Sequence, residues 1–143
     1  AAGGLPRGPV SALDVGTYGN QAARSVADGL SPDHIPSYAA IRTALQTQLD
    51  RPLRPQELIA LPNNTNTLMI DAGIHREFSR TYAGRNSSAR YSIDASNLQA
   101  AALRDQAALT PALLNRGYIQ AQIDAAFARL HAANRVLGLY DGN

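Results

Sequence analysis

The alanine-rich second half is the feature that most constrains the fold of this chain. Its longest periodic run extends from Tyr118 to Leu137. The apolar residues of this run share one helical face: Ile119, Ile123, Ala126, Phe127, Leu130 and Ala133. Residues 93–109 are also alanine-rich, and Thr110-Pro111 is expected to start another helix that ends at residues 115–117. The pattern predicts a largely helical core.

Composition excludes several classes of site. The chain has 143 residues, which suits one domain, and no cysteine, which rules out disulfides, zinc knuckles and thiol nucleophiles. No apolar run reaches the roughly 18 residues of a membrane span. All thirteen cationic residues are arginine, although the formal net charge is only +2. Arginine binds phosphate through two parallel hydrogen bonds. A chain of low net charge can therefore still present a phosphate-binding patch where its arginines are grouped.

The chain divides into three stretches within a single domain. Residues 1–13 are rich in Gly, Pro and Ala and are expected to form a linker. Residues 14–90 are expected to form the functional core, with a short helix over residues 15–30, two helices over residues 37–61 and a strand at residues 67–70. A helix is predicted from Ile74 to Tyr82, ended by Gly84. Residues 91–143 are expected to be a helical buttress on that core.

The segment Asp33-His34-Ile35-Pro36-Ser37, together with His75, predicts a one-metal phosphodiester cleavage site. Asp33 can bind a divalent cation, His34 can take a proton from water, and His75 can complete the metal ligands. A neutral imidazole suits the role of general base because its ordinary pKa of about 6.5 lies close to working pH. The order of parts predicts a mainly α fold with a small two-stranded ββα-metal element.

A cluster of arginines follows His75 directly. Arg76, Arg80, Arg85 and Arg90 fall within fifteen residues. A solvated helix face would explain Arg76 and Arg80 equally well, but their mutual repulsion is easier to tolerate with an anion between them. The hydroxyl of Tyr82 adds a donor for phosphate oxygens. The cluster indicates a phosphate-binding surface.

These motifs resemble a known family. The segments Asp33 to Ser37, Asn63-Asn64, Ile74 to Arg76 and Ser79 to Asn86 are similar to nuclease domains at the C-termini of bacterial polymorphic toxins, within the HNH and endonuclease VII superfamily. The resemblance covers roughly residues 14–90. About thirty residues separate His34 from the second strand, where many such modules have a tight hairpin, so the helices of residues 37–61 would be an insertion.

The resemblance implies roles for individual residues. Asp33 and His75 would bind the metal, and His34 would be the general base. Asn64 would brace the loop, with Asn66 as an alternative, and Asp71 is a second choice as metal ligand. The expected substrate-binding residues are Arg76, Arg80, Tyr82, Arg85 and Asn86. The expected metal is Mg²⁺, with Mn²⁺, Ni²⁺ or Zn²⁺ as alternatives.

Three functions stay open at this point. The first is a metal-dependent endonuclease toxin that acts on DNA, is delivered into a target cell and is neutralised by a cognate immunity protein. The second is a metal-independent RNase in which His34 and His75 act as an acid–base pair. The third is a non-enzymatic helical interaction module.

Overall fold

A three-stranded antiparallel sheet organises the structure, a computed structural model that describes residues 8–141. Strand β1 is Val15–Thr17, β2 is Leu30–His34 and β3 is Asn66–Asp71, with β3 in the middle. Residues 65–70 are all buried, and Leu68, Met69 and Ile70 have no exposed surface. The apolar run Leu68 to Ile70 fits a central strand that is packed on both faces, and the buried polar residues Thr65, Asn66 and Thr67 precede it.

Seven α-helices accompany the sheet in the described part of the chain. They are α1 Tyr18–Arg24, α2 Tyr38–Leu49, α3 Pro55–Asn63, α4 Ala72–Phe78, α5 Ser88–Ala95, α6 Leu98–Arg116 and α7 Gln120–Val136, with a 3-10 turn at Ala83–Arg85. Side-chain oxygens of Thr17, Ser37, Ser87 and Asn97 accept hydrogen bonds from backbone N–H groups at the starts of four of them. No helix within residues 8–141 is long and apolar enough to cross a membrane.

The two longest helices pack against the sheet to form the core. Leu109 and Leu113 of α6, with Phe127 and Leu130 of α7, join one cluster with Leu68 of β3. All five are at most 1% exposed. The prediction of a single, mainly helical domain is therefore confirmed.

Two details of the predicted elements are wrong. The sheet has three strands rather than two, because Val15–Thr17 pairs with β3 instead of opening a helix over residues 15–30. Pro111 lies inside α6 and does not start a new helix. Its missing N–H would have bonded to the carbonyl of Ala107, an exposed residue whose carbonyl water can reach, while burial of Leu109 and Leu113 on either side keeps the helix continuous.

The predicted linker is only partly described, because residues 1–7 lie outside the described range. Residues 8–13 run along the sheet: Val10 and Leu13 are each 6% exposed. The backbone N–H of Leu13 donates to the Met69 carbonyl at 2.7 Å, and Arg129 of α7 donates to the Leu13 carbonyl at 3.2 Å.

A fully buried amide joins α7 to β3 and to the residue that follows β2. The Asn134 side chain donates to the Ile35 carbonyl and to the Tyr140 hydroxyl, each at 3.0 Å, and accepts from the Asn66 amide at 3.0 Å. A buried polar group left without partners costs roughly 1–3 kcal/mol. Asn134 therefore fixes the chain just after β2, next to His34.

An ion-pair network joins α5 and α6 to Arg80, which lies two residues after the end of α4. Arg80 donates to Asp94 at 2.9 and 3.1 Å and to Asp105 at 2.8 Å, and Arg104 donates to Asp94 at 2.7 Å. Burial opposes ionisation of Asp94, but its bonds from Arg80 and Arg104 outweigh burial and hold its pKa below the ordinary value. Asp105 has a single arginine partner, and burial raises the pKa of its carboxyl to about 7.

This asymmetry predicts a pH-dependent effect of Asp105→Asn. The pKa of Asp105 is about 7 in the folded protein, against an ordinary value of 3.8. Between pH 3.8 and about pH 7 the folded protein therefore keeps a proton on Asp105 that the unfolded chain has released. Its contribution to stability therefore falls as pH rises from about 4 to about 7. The asparagine variant has no carboxyl at this position and so does not lose this contribution. The difference between its free energy of unfolding and that of wild type should therefore rise from about pH 4 to about pH 7 and stay constant at higher pH.

Urea denaturation at pH 4.5, 5.5, 6.5 and 7.5 measures this difference. The groups that face Asp105 are Arg80, Asp94 and the more distant Asp33, and all are unchanged in the variant. A difference between variant and wild type that stays constant across the series would contradict the prediction.

Candidate active site

The pairing of β2 with β3 brings the predicted site residues together. Asp33 lies opposite Leu68 and His34 opposite Thr67 in this antiparallel pair. Helix α4 begins directly after β3, at Ala72, and holds His75 on its first turn. The Ser31 hydroxyl of β2 lies 2.8 Å from His75 Nδ1, which fixes the helix-borne imidazole against the strand.

Asp33 and His75 form a close pair. His75 Nε2 lies 3.5 Å from Asp33 Oδ1, and the Asp33 side chain is only 4% exposed. The other carboxylate oxygen, Oδ2, is buried without a hydrogen-bond partner in the described residues. Burying a carboxylate oxygen without a partner is costly, so this atom is poised to bind a cation or a donor.

His34 has one ring nitrogen engaged and one free. Its Nε2 lies 2.9 Å from the backbone carbonyl of Pro62. A carbonyl can only accept, so Nε2 carries the proton and Nδ1 of the neutral ring keeps its lone pair. Nδ1 has no hydrogen-bond partner among residues 8–141. Burial lowers the pKa of His34 below its ordinary value, although the Pro62 carbonyl acts in the opposite direction. The neutral ring is therefore favoured.

Aromatic rings hold both imidazoles in place. Tyr18 stacks on His34 with centroids 4.9 Å apart and planes 13° apart, and Tyr38 lies 6.4 Å from the same ring. Tyr82 meets His75 edge-on at 4.9 Å. These contacts restrict ring rotation and so hold each imidazole in a defined orientation.

That space is an open cleft of about 640 Å³. Asp33, His34 and His75 line it together with the three tyrosines Tyr18, Tyr38 and Tyr82. Asn86 also lines the cleft: its amide nitrogen donates to the Ser37 hydroxyl at 3.3 Å, and its Oδ1 is buried without a partner in the described residues. A volume of this size admits a segment of a flexible polymer or a small ligand.

Asp33 and His75 are the residues that could hold a metal ion. Two ligands at about 2.1 Å from one ion stand roughly 3.0–3.4 Å apart, close to the separation seen between His75 Nε2 and Asp33 Oδ1. The partnerless Asp33 Oδ2 supplies a further oxygen. Within residues 8–141, however, no three His, Cys, Asp or Glu side chains group closely enough to hold an ion. A metal here would therefore have two protein ligands and several positions for water or substrate.

The Asn and Asp residues expected beside the site lie elsewhere. Asn64 is exposed at the end of α3 and donates to the Ala60 carbonyl at 3.0 Å. Asn66 is buried against Asn134. Asp71 accepts bonds from the Tyr118 hydroxyl at 2.8 Å and from Arg116 at 3.0 Å. None of these three lines the cleft, and the loop contact to His34 comes from the Pro62 backbone instead.

The expected arginines fall into two groups. Arg80 lies in the buried network with Asp94 and Asp105, where two carboxylates neutralise its charge. Arg76 and Arg85 are exposed. The Arg85 guanidinium donates to the carbonyls of Glu77 and Arg76 at the end of α4 and lies 5.6 Å from the centre of the Tyr82 ring.

Sequence reasoning missed three contributors to the site. Ser31 orients His75, the Pro62 carbonyl sets the tautomer of His34, and Tyr18 stacks on His34. Strand alternation could have found Ser31, because it lies two residues before Asp33 on the same strand face. The Pro62 carbonyl leaves no signal in a sequence, since every residue has a backbone carbonyl.

Comparison with known proteins gives an informative match. Over 131 residues the chain is 40% identical to a segment of Deoxyribonuclease CdiA from Dickeya dadantii (strain 3937). The match covers 91% of this chain and 4% of that protein, so the chain corresponds to a small part of its relative. No protein-family model matches the chain, and no solved structure matches it. The aligned segment includes almost the whole described fold.

Proposed function

We propose that this chain is a metal-dependent endonuclease domain that hydrolyses DNA, with His34 as the general base. The observation that supports it best is the free Nδ1 of a neutral, clamped His34 in the same cleft as the Asp33–His75 pair. A base with a lowered pKa beside a candidate cation site suits phosphodiester hydrolysis.

His34 would move the proton in the reaction. A water beside Nδ1 gives its proton to that nitrogen while the water oxygen bonds to phosphorus and the bond from phosphorus to the leaving oxygen breaks. The Pro62 carbonyl stabilises the imidazolium that results, because it accepts from the opposite ring nitrogen. The stacked Tyr18 ring keeps the imidazole plane fixed throughout.

Asp33 and His75 would hold a divalent ion, for which Mg²⁺ is the first choice and Mn²⁺, Ni²⁺ or Zn²⁺ are alternatives. When bound, the ion supplies positive charge to the phosphate and the leaving oxygen. With an ion bound, His75 would give it the Nε2 lone pair, so Nδ1 would keep its proton and donate it to the Ser31 hydroxyl. In this interpretation β2, β3 and α4 form the ββα-metal element of an HNH-like nuclease, with α2 and α3 inserted between its strands.

The relative supports DNA as the substrate. Its name is that of a deoxyribonuclease, and the match spans 91% of this chain. The exposed Arg76 and Arg85 would contact backbone phosphates, and Tyr82 and Asn86 at the cleft would position the strand. Contacts to phosphate rather than to base edges imply cleavage without strict sequence preference.

We further propose that the domain acts as a toxin delivered into a target cell, as its resemblance to polymorphic-toxin nucleases implies. A diffusible nuclease endangers the cell that makes it, so a cognate immunity protein is expected. An acidic surface on that partner would complement the exposed arginines and speed association.

A metal-independent RNase is the second candidate, because the close approach of His75 Nε2 to the buried Asp33 could also hold a protonated imidazole. His75 would then be the general acid and His34 the base. In that case cleavage persists in chelator and acts on RNA, since the attacking group is the 2′-hydroxyl.

One prediction of this proposed function concerns His34. His34→Ala should reduce plasmid cleavage in the presence of Mg²⁺ or Mn²⁺ by at least about 100-fold, because general-base catalysis of this kind contributes that much or more. EDTA should abolish cleavage by the wild-type protein. Agarose-gel nicking assays with each metal in turn measure both effects.

The third histidine supplies a matched control. His131 bonds to Tyr140 and Gln106 and does not line the cleft. His131→Gln should keep wild-type cleavage at temperatures where the variant is folded. A His34→Ala protein that cuts as fast as wild type would refute the proposed base, and undiminished cutting in EDTA would favour the metal-independent mechanism.

A second prediction concerns Ser31. Ser31→Ala removes the partner of His75 Nδ1 and should raise the Mn²⁺ concentration needed for half-maximal cleavage by roughly 10- to 100-fold. Ser92→Ala, a change at an exposed position of α5, serves as control. If both variants need the same Mn²⁺ concentration as wild type, His75 does not depend on Ser31 as a ligand.

A further inference from the structure

Arg42, which no sequence motif singled out, stands beside the cleft between two aromatic rings. Its guanidinium carbon lies 5.5 Å from the centre of the Tyr38 ring and 5.6 Å from that of Tyr91. Tyr38 lines the cleft and neighbours His34. Contacts with the two rings therefore hold the Arg42 side chain next to a tyrosine of the cleft wall, although Arg42 itself is not among the residues that line the cleft.

The charge of Arg42 is not neutralised by the residues around it. Among residues 8–141 it forms no ion pair with a carboxylate and no side-chain hydrogen bond, in contrast to Arg80 and Arg104. It is half-buried rather than freely solvated. A guanidinium presented in this way keeps its N–H groups available for an anion.

A related arrangement occurs beside the other histidine, although the Arg85 guanidinium also donates to the carbonyls of Glu77 and Arg76. Arg85 lies over Tyr82, and Tyr82 contacts His75. Arg42 lies over Tyr38, and Tyr38 neighbours His34. His34 thus has Tyr38 beside it and His75 has Tyr82, and an arginine lies over each of these two tyrosines.

We propose that Arg42 is a substrate-binding residue that pairs with Arg85, so that the two guanidinium groups bind backbone phosphates on either side of the phosphate that is cleaved. The inference rests on the proposed nuclease function. It adds a second phosphate contact, on the His34 side of the cleft, and makes Tyr38 and Tyr82 the supports that hold both cations in position. The nucleic-acid strand accordingly crosses the cleft from α2 to the turn at Ala83–Arg85.

A purely structural role for Arg42 makes a different prediction. Because Tyr38 belongs to α2 and Tyr91 to α5, Arg42 also bridges two helices, and its removal could lower thermal stability without affecting DNA. The salt dependence of binding separates the roles, since removing one phosphate-binding cation reduces the slope of log K against log[salt] by about 0.9 for duplex DNA.

The experiment measures binding of a fluorescein-labelled duplex by anisotropy, in EDTA and in a His34→Ala background, from about 50 to 200 mM salt. Arg42→Met keeps the aliphatic stem between the rings and should lower the slope by about 0.9, as should Arg85→Met. Arg42→Lys should keep the slope. Arg135→Met is the matched control, because Arg135 lies 5.8 Å from the centre of the Tyr140 ring, and Tyr140, unlike Tyr38 and Tyr82, does not line the cleft.

Three results would overturn the inference, and they differ from one another. If the slope of log K against log[salt] is the same for Arg42→Met as for Arg135→Met, while Arg85→Met has a lower slope, Arg42 does not bind phosphate. If Arg42→Met lowers only the melting temperature, its role is structural. If the His34→Ala background binds no DNA at 50 mM salt and the wild-type protein cuts none, the proposed function fails, and this inference fails with it.

Discussion

The antiparallel register of β2 against β3 is the constraint on which the candidate site depends. It aligns Asp33 with Leu68 and His34 with Thr67, and α4 leaves the end of β3 directly, so His75 returns to the side of Ser31 and Asp33. A slip of one residue would exchange the faces of Asp33 and His34 and separate the carboxylate from His75. Asn134 opposes such a slip, because its side chain bonds to the Ile35 carbonyl just after β2 and to the Asn66 amide of β3, each at 3.0 Å. Helix α7, which carries Asn134, thus helps to fix the site from a distance.

Local signals in the sequence were sufficient for much of this fold. The apolar run at residues 67–70, the Ser37 cap and the stop at Gly117, which has a φ of 115°, all lie where the residue types predict them. Strand β1 was not foreseen, because Val15–Thr17 is too short to show alternation and its pairing with β3 is decided about fifty residues away. Pro111 was read as a boundary, yet burial on both sides of it outweighs one missing hydrogen bond. Tertiary packing decided both cases.

The candidate site likewise combines residues that the sequence predicts with groups that only the fold brings to it. Asp33, His34 and His75 could be named because an acid next to a histidine, with a second histidine on a helix after a short strand, resembles the pattern of a nuclease family, and all three line one cleft. Two of the groups that orient the site could not be named. The tautomer of His34 depends on the Pro62 carbonyl, 28 residues away, and the loop after β2 depends on the Asn134 amide, 99 residues from Ile35. An asparagine side chain was the expected brace, but a backbone carbonyl makes that contact.

The arginines show why a cluster in the sequence is a weak guide to a charged surface. Arg80 belongs to the predicted cluster, but folding places Asp94 and Asp105 against it, and its field is largely cancelled. Arg42 stands alone in the sequence, but folding surrounds it with the rings of Tyr38 and Tyr91 and leaves its charge uncompensated within residues 8–141. Aromatic faces can hold a guanidinium in place without competing for its hydrogen-bond donors, whereas carboxylates occupy those donors. A cation that must bind phosphate is therefore better supported by tyrosine than by aspartate, and three tyrosines in the wall of this cleft are consistent with that requirement.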